Sequence, residues 1–437
     1  MKDFGTSSDP AVQAQLDRLA KLSLPEGRMG LDTVRKLLAR LGDPQDRLPP
    51  VFHVAGTNGK GSVCAFLRAM LEADGKTVHV TTSPHLVRYN ERIRVAGKLI
   101  EDARLAELLE EVLDAAEGLN PSFFEVTIAA AFTEFARIPA DACVVEVGLG
   151  GRFDATNVLK PDVLAACGIA ALGIDHERFL LAPEDGVPQE PIARIAFEKA
   201  GIAKKGVPLV VMTSQYPSEA RHVIRKIANS TGAVLHEHSQ SIIAEQAFFS
   251  VDGQGVRERQ DDEFANIVLM GKHQILNAAL ARDMLQAQTK IGVGDSAFMA
   301  GVRKVRWPAR MQLLAPGPLT VLADEHDIWL DGGHNPSAGH AIAEFFDEPV
   351  HLIIGMLDNK DPRALLDPLE GRVQSLQVVP VPNHDSHHAT AFGPDAVARD
   401  NIEEALLNVP SDDYTILIAG SLYLAGEVLR LNDEIPD

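Results

Sequence analysis

The chain has 437 residues, and this length predicts two or three domains, because single hydrophobic cores stop growing near ~250–300 residues. Its 61 acidic and 41 basic residues give a formal charge of −20, which disfavours general binding to nucleic acid or to anionic membranes. There is no signal pattern and no apolar stretch of the ~20 residues that a membrane helix needs. Three cysteines (Cys64, Cys143 and Cys167) lie in apolar runs without metal-like or disulfide-like spacing, so we expect a cytoplasmic protein with buried thiols.

The first informative segment is an apolar strand, Val51–Ala55, followed by a glycine-rich turn and a stretch with helical apolar spacing over 63–73. This order is typical of a phosphate-binding loop, in which backbone N–H groups and a helix N-terminus hold the anion and a lysine reaches the outer phosphates. The loop departs from the standard pattern, because Val54 stands where that pattern needs glycine and Gly61 separates Lys60 from Ser62.

Short, apolar, valine-rich segments then alternate with helical patterns as far as about residue 290. Such segments are typical of parallel strands buried on both faces. The predicted strands lie at 78–82, 142–147, 163–168 and 208–212, and the predicted helices at 102–116, 123–136, 192–200 and 274–287. Alternation with glycine between 237 and 269 predicts an antiparallel hairpin at the edge of the sheet.

A second alternation follows a glycine-rich stretch near 291–295. Its predicted strands lie at 328–330, 351–354, 373–379 and 414–418, and its predicted helices at 338–346, 394–407 and 422–431. We therefore predict an α/β protein with two domains: an N-terminal domain over 1–292, a linker over 293–309 and a C-terminal domain over 310–437.

Polar residues follow several predicted strands, where open α/β sheets bind their ligands. Glu146 suits a Mg²⁺ ligand beside nucleotide phosphates, although it could also be a capped or ion-paired strand end. His176, beside Asp175, could be a loop histidine with satisfied hydrogen bonds. Lys199 could be a helix-terminal cation that extends to solvent. Considered singly, these three residues leave both interpretations open.

Considered together and in order, the motifs resemble the dihydrofolate synthase/folylpolyglutamate synthase family, a branch of the Mur-ligase-type ATP-dependent amide ligases. The motifs that carry this resemblance lie at 56–62, 82–86, 89–93, 146–157, 175–176, 198–202, 273–277, 307–310, 331–336, 355–361 and 420–423. The inserted Gly61 is itself typical of this branch. The resemblance implies an N-terminal P-loop ATPase-like domain of the Mur-ligase central type, with a mainly parallel sheet, and a C-terminal Rossmann-like α/β domain.

The resemblance also implies roles for individual residues. The loop that would hold the ATP phosphates consists of Gly56, Thr57, Asn58, Gly59, Lys60, Gly61 and Ser62. Two Mg²⁺ sites are implied, one at Ser83 and Glu146 and the other at Glu146 and His176. Lys199 matches a lysine that is carbamylated in family members, and burial would favour the neutral amine that carbamylation requires.

The remaining implied contacts concern nucleotide and folate. Asn277 and Arg310 would contact the nucleotide or its γ-phosphate, Asp331 and His334 would meet ribose and adenine, and Phe124 and Asp154 would lie near the pteridine. Lys60, Glu146, His176 and Lys199 would be the catalytic residues.

The implied activity is an ATP-dependent ligation of L-glutamate to dihydropteroate and to reduced folates, through an acyl phosphate, in folate biosynthesis. One alternative is a folylpolyglutamate synthase only; more remote alternatives are a peptidoglycan-precursor ligase and a non-catalytic nucleotide-binding protein. The implied partners are small molecules alone, namely ATP, L-glutamate and dihydropteroate or a reduced folate, and the resemblance favours a monomer.

The sequence departs from the family pattern in three places. An additional segment at 181–188 is rich in proline and glycine and is predicted to form a surface loop. Gly333 replaces a common alanine, and the residues before Met29 match weakly.

Overall fold

The computed structural model describes residues 5–22, 30–213, 216–238, 250–252, 255–257, 268–324 and 326–437. The chain divides into two compact units. The first comprises Met1–Val268 and Gln274–Val305, and the second comprises Leu269–His273 and Arg306–Asp437.

The first unit is built on an eight-stranded sheet. Its strands are β1 (Val51–Ala55), β2 (Val78–Thr81), β3 (Ile93–Val95), β4 (Lys98–Leu99), β5 (Ala142–Glu146), β6 (Leu164–Ile169), β7 (Pro208–Met212) and β8 (Val234–His238). Their order is β4-β3-β2-β5-β1-β6-β7-β8. The six strands from β2 to β8 in this order are parallel, and β3 and β4 are antiparallel additions at one edge.

Helices flank this sheet. They are α1 (Pro10–Ala20), α2 (Asp32–Arg40), α3 (Lys60–Ala73), α4 (Asp102–Ala115), α5 (Phe123–Arg137), α6 (Glu177–Leu180), α7 (Pro191–Ala200), α8 (Ser218–Thr231), α9 (Lys272–Ala287) and α10 (Asp295–Lys304). Local signals set some of their starts: Ser122 and Glu125 form a capping box before α5, and the Glu190 carboxylate caps α7 ahead of Pro191.

The centre of the first sheet is apolar on both faces. All residues of β1 and β5 are buried, including Glu146 at the last position of β5. A parallel strand covered on both sides needs such a continuous apolar run, and a carboxylate at its end is therefore placed where the sheet meets its ligand-binding edge.

The second unit has a six-stranded sheet of its own. Its strands are β11 (Gln312–Leu313), β12 (Ile328–Leu330), β13 (Val350–Ile354), β14 (Val373–Val378), β15 (Val397–Ala398) and β16 (Thr415–Ala419), in the order β11-β12-β16-β13-β14-β15. Only β11 is antiparallel to its neighbour among these described strands. The helices are α11 (Pro318–Leu322), α12 (Pro336–Ala343), α13 (Arg363–Leu366), α14 (Ile402–Leu407) and α15 (Leu422–Leu431). Leu352, Ile354 and Leu417 pack with Phe346 and Phe392 in its core.

The predicted fold class, an α/β protein with mainly parallel sheets, is confirmed. The predicted hairpin is also present, as β9 (Ser250–Asp252) paired antiparallel with β10 (Gly255–Arg257). Among the described strands it forms a separate two-stranded sheet, rather than an edge of the eight-stranded sheet, whose outer strands are β4 and β8.

Two predicted segments differ from the structure. The linker predicted over 293–309 contains α10, a helix of the first unit whose Gly301 lies directly against Met70 of α3. The helix predicted over 394–407 begins only at Ile402, because the Asn401 side chain accepts a hydrogen bond from the Glu404 N–H and caps it there.

Within the described residues, no helix combines the length and the apolar character needed to cross a membrane.

Candidate active site

The phosphate-binding loop predicted from the sequence joins β1 to α3. The N–H groups of Thr57 and Asn58 donate to the Ala171 carbonyl at 2.8 and 3.3 Å, so these two amides brace the loop. The helix begins at Lys60, and the N–H groups of a first helical turn have no partner within the helix. The donors best placed to hold an anion are therefore those of the first turn of α3, where the helix dipole also favours negative charge.

Asn277 of α9 lies against this loop. Gly59 has a φ of +80°, and a Cβ built on it would be 2.4 Å from the Asn277 Oδ1 atom. Only glycine fits both the left-handed backbone and this close approach. The structure thus places Asn277 beside the phosphate-binding loop, as the nucleotide-contacting role predicted for it requires.

Three of the predicted catalytic side chains line one pocket beyond the end of β1. The residues that line it are Gly56, Thr57, Lys60, Val147, Gly148, Leu149, Gly150, Asp175, His176, Leu180 and Lys199. They come from the loops after β1, β5 and β6, which lie together because parallel strands end at one edge of a sheet, and from the helices α3, α6 and α7. Lys60, His176 and Lys199 are separated in sequence by up to 139 positions, and the fold brings them together.

Lys199 is buried at the wall of this pocket, and its Nζ donates to the Gly56 carbonyl at 2.8 Å. Burial, and then the neighbouring Lys60 ammonium, lower the pKa of Lys199 to about 7. The nearby Asp175 and Asp154 carboxylates oppose this change. A large fraction of the Lys199 side chain is therefore a neutral amine near neutral pH, which an exposed lysine is not.

Oxygen ligands for a cation are available at the same edge. The Glu146 carboxylate is buried at the end of β5 and accepts a hydrogen bond from the Ser83 N–H at 3.1 Å. The Asp175 carboxylate accepts one from the His176 N–H at 2.7 Å. Two carboxylates, a hydroxyl and an imidazole form a donor set that fits a hard divalent cation, mainly through oxygen.

Two arginines and two glutamates form an ion-pair network that includes α7, the helix that carries Lys199. Arg152 contacts Glu184 and Glu198, each at 2.7 Å. Arg194 contacts the same two glutamates, at 2.8 and 3.0 Å. Glu198 precedes Lys199 in α7, whereas Glu184 belongs to the additional segment at 181–188. The network therefore ties the loop after β5, the additional segment and α7 into one assembly.

The residues predicted to bind the pteridine lie at the loop after β5. A Cβ on Gly148 would be 2.4 Å from the ring of Phe124, so the ring covers this loop. The buried Asp154 carboxylate accepts from the Leu149 N–H at 2.8 Å and from the Thr156 N–H at 3.0 Å, and burial raises its pKa. These contacts brace the loop, and contact of Phe124 or Asp154 with a substrate stays a prediction.

The remaining predicted residues belong to the second unit. The Asp331 carboxylate, directly after β12, accepts from the Gly333 N–H at 2.7 Å and from the Met311 N–H at 2.9 Å. Gly332 lies beside the Arg310 guanidinium, and a Cβ on this glycine would be 3.2 Å from its Nη1 atom. His334 follows in the same loop, with Nδ1 at 3.2 Å from the Gly332 carbonyl. Arg310, Asp331 and His334 therefore cluster at the carboxyl end of β12.

Several neighbours of these residues were not among the predicted site residues. Asp175 lines the pocket, and Arg152, Arg194 and Glu184 surround Glu198. In the second unit, burial lowers the pKa of His273, and the Asp331 carboxylate opposes this. Asp175 and His273 stand in motifs that the sequence already singles out, whereas no local pattern marks Glu184 or Arg194.

No family model matches the chain. Among curated proteins, the dihydrofolate synthase/folylpolyglutamate synthase of Bacillus subtilis (strain 168) is 32% identical over 92% of this chain and 94% of its own length. The folylpolyglutamate synthase of Lacticaseibacillus casei is 33% identical over 90% of this chain and 92% of its own. The chain belongs to the dihydrofolate synthase/folylpolyglutamate synthase family.

Solved structures of this family share the fold. The structure of E. coli FolC in complex with DHPP and ADP has a TM-score of 0.79 and 26% identity, and the match covers 98% of both chains. A bifunctional folylpolyglutamate synthase/dihydrofolate synthase with Mn, AMPPNP and L-glutamate bound has a TM-score of 0.77 and 27% identity, over 97% of this chain and 98% of that one. The predicted family membership and the two-domain Mur-ligase-like fold are thereby confirmed.

Proposed function

We propose that this protein is an ATP-dependent ligase that joins L-glutamate to dihydropteroate and to reduced folates. The proposal rests above all on the pocket that Lys60, His176 and Lys199 line together. Two comparisons support it. The relatives include both bifunctional synthases and a folylpolyglutamate synthase, and one solved relative has AMPPNP, Mn and L-glutamate bound.

ATP would bind with its phosphates at the first turn of α3. The Lys60 ammonium lies in the pocket and would neutralise the outer phosphates. Glu146 and Ser83, with Asp175 and His176, would hold divalent cations at two sites, because their oxygens and the imidazole suit Mg²⁺ or Mn²⁺. Bound cations would offset the negative charge that accumulates during phosphoryl transfer.

The reaction needs activation of a carboxylate, which is a poor acylating agent. The γ-phosphoryl group of ATP would pass to a carboxylate oxygen of the folate, giving an acyl phosphate and ADP. The neutral amine of L-glutamate then attacks the acyl carbon and loses a proton, and inorganic phosphate leaves from the tetrahedral adduct. The pocket residues would align these groups and exclude water from the hydrolysable acyl phosphate.

Lys199 would act as its carbamate. Carbon dioxide reacts only with the neutral amine, and burial makes that form available near pH 7. The carbamate nitrogen keeps one hydrogen, so the bond to the Gly56 carbonyl can persist. The product is a longer side chain that ends in an anion, which would extend the oxygen ligands toward the cations held by His176 and Glu146.

The activity is tested by ADP release from purified protein with ATP, Mg²⁺ and L-glutamate. Dihydropteroate and tetrahydrofolate are offered separately, and the glutamylated products are identified by mass. We expect both acceptors to stimulate turnover. Turnover with tetrahydrofolate alone would reduce the proposal to a folylpolyglutamate synthase, and turnover with neither acceptor would contradict it.

The role of Lys199 is tested by Lys199→Ala. We expect this variant to lose ligation by at least 100-fold, as the loss of an electrostatic catalytic group does, while ATP binding stays measurable by calorimetry. Lys205→Ala changes an exposed lysine six positions after Lys199, so it serves as the matched control and should retain full activity. A fully active Lys199→Ala would remove the carbamate from the mechanism.

A further inference from the structure

Two histidines and an aspartate meet at the amino ends of three neighbouring strands in the second unit. His351 is the second residue of β13, His326 precedes β12, and Asp412 precedes β16. One ring nitrogen of each histidine and one carboxylate oxygen of Asp412 lie within 4.8 Å of one another. The three strands are adjacent in the order β12-β16-β13 and parallel, so the fold holds these side chains together although 86 positions separate the first from the last.

Hydrogen bonds set the tautomer of His326. Its Nδ1 is 2.7 Å from the Tyr414 carbonyl oxygen, and a carbonyl can only accept. The proton of the neutral ring is therefore on Nδ1, and the lone pair is on Nε2. Histidines that bind metals commonly donate their other ring N–H to a backbone carbonyl in this way, which orients the ring.

The ring of His351 is oriented by a hydroxyl. Its Nδ1 is 2.8 Å from the Ser375 Oγ atom, and its Nε2 is 2.9 Å from the Asp412 Oδ1 atom. The carboxylate can only accept, so without a metal the neutral ring carries its proton on Nε2 and the Ser375 hydroxyl donates to Nδ1. Because a hydroxyl can also accept, the ring proton can move to Nδ1 when a cation binds, and this frees the Nε2 lone pair as a ligand. His351 is fully buried, whereas Asp412 is at the surface. The cluster is therefore fixed on the side of the buried His351 and open to solvent on the side of Asp412.

We propose that His326, His351 and Asp412 bind one transition-metal dication of the Zn²⁺ class. Two imidazoles and a carboxylate, with water as a fourth ligand, match the ligands and the tetrahedral preference of Zn²⁺. Each ligand atom would lie about 2.0–2.2 Å from such an ion. The His351 Nε2 and Asp412 Oδ1 atoms, now 2.9 Å apart, would separate, and ligand atoms that are up to 4.8 Å apart would approach one another. Rotation of the exposed Asp412 side chain permits this change.

This site differs in place and chemistry from the candidate active site. Asp331 and His334 follow the carboxyl end of β12, whereas His326 precedes its amino end, so the strand separates the two sites within the second unit. The active-site cation would be held mainly by oxygen, whereas imidazole nitrogen favours transition metals over Mg²⁺. An ion bound here would connect three strands and stabilise the second unit without entering the ligation reaction.

Calorimetric titration with Zn²⁺ tests the proposal on the tag-free, EDTA-treated full chain, with millimolar Mg²⁺ present to occupy oxygen-rich sites. We expect one Zn²⁺ per chain, and intense visible absorption of a tetrahedral complex when Co²⁺ replaces it. Asp412→Asn and His326→Ala should each weaken binding at least tenfold. The matched controls are Asp413→Asn and His340→Ala, both exposed and in the same unit, and they should bind as the unaltered chain does.

Folding is checked separately, so that loss of Zn²⁺ binding through misfolding is distinguished from loss of a metal ligand. Circular dichroism and the metal-free unfolding midpoint identify variants that remain folded, and Asp412→Asn at the surface is the variant of choice if His326→Ala unfolds. In the unaltered chain Zn²⁺ should raise the unfolding midpoint, by mass action on the folded state, and this rise should vanish in Asp412→Asn. Equal Zn²⁺ affinity in Asp412→Asn and Asp413→Asn, or no Zn²⁺ binding by the unaltered chain, would overturn the proposal.

Discussion

At the scale of single residues, Lys199 shows how burial prepares a side chain for chemistry. Its ammonium form would lose hydration inside the first unit and would face the positive Lys60, and these effects lower its pKa to about 7. Asp175, Asp154 and Glu198 act in the opposite direction but do not restore the ordinary value. The motif at 198–202 identifies this lysine in the sequence, whereas its ionisation depends on charged groups up to 139 positions away.

The pKa of Lys199 predicts a dependence of ligation on pH and carbon dioxide. The lowered pKa means that the neutral amine forms as pH rises through about 7, rather than near the usual value of about 10.4. In buffer depleted of carbon dioxide we therefore expect turnover to fall, and added bicarbonate to restore it, with a larger restored rate at pH 8 than at pH 6. Initial rates of ADP release, measured at saturating ATP, check this.

Carbamylation of another lysine would also make turnover depend on bicarbonate, and Lys205→Ala tests this for an exposed lysine near Lys199. Lys205→Ala leaves Lys199 in place, so it should show the same bicarbonate response as the unaltered chain. Rates that ignore bicarbonate at every pH would contradict the carbamate, although not the ligase activity itself.

At the scale of elements, continuous apolar runs were the most predictable features. The predicted bounds of β1, β7, β12 and α15 agree with the structure. The residues of α10 fall in the predicted linker because a glycine-rich stretch near 291–295 indicated a domain boundary. In the structure Gly301 allows α10 to approach Met70 of α3 closely. The sequence alone does not show this contact, so it could not indicate that a helix packs here.

The additional segment at 181–188 was predicted to be a surface loop, and only part of it behaves as one. Asp185 is exposed, but its neighbour Glu184 is directed inward to Arg152 and Arg194. These partners lie 32 positions before and 10 positions after Glu184, so neither strand nor helix periodicity could indicate the pairing. This segment lies between His176 and the start of α7, which carries Lys199, so its anchoring affects the positions of both pocket residues.

We expect Glu184→Gln to weaken that anchoring. The variant keeps the shape of the side chain but removes the charge that the half-buried Arg152 and the buried Arg194 share, at a cost of about 1–3 kcal/mol in unfolding free energy. If the segment positions His176 and Lys199, kcat for ligation falls while KM for ATP stays near its original value. Denaturant unfolding and steady-state kinetics measure the two effects.

Asp185→Asn is the matched control for Glu184→Gln, because it removes the adjacent charge at the surface. It should alter neither the unfolding free energy nor kcat. If Glu184→Gln lowered stability but left kcat unchanged, the network would be structural only, without influence on the pocket.

At the scale of the whole molecule, one rule of parallel sheets accounts for much of what could be predicted about the site. Gly56 follows β1, Ser83 lies just after β2, Glu146 ends β5 and Asp331 follows β12, so each stands at a carboxyl end. Asn277 and Lys199 lie on helices, to which this rule does not apply. Their roles came from the resemblance alone, and the structure places both near the loop after β1.

The net charge of the chain bears on its state of assembly. A formal charge of −20 makes copies of the protein repel one another at low ionic strength, and salt screens this repulsion. We expect the protein to sediment as a single chain at both low and high salt, because the family resemblance favours a monomer. Turnover per chain should then be independent of protein concentration from nanomolar to micromolar. A rise in turnover per chain with concentration, strongest at high salt where repulsion is screened, would instead mean that a second copy completes the active enzyme.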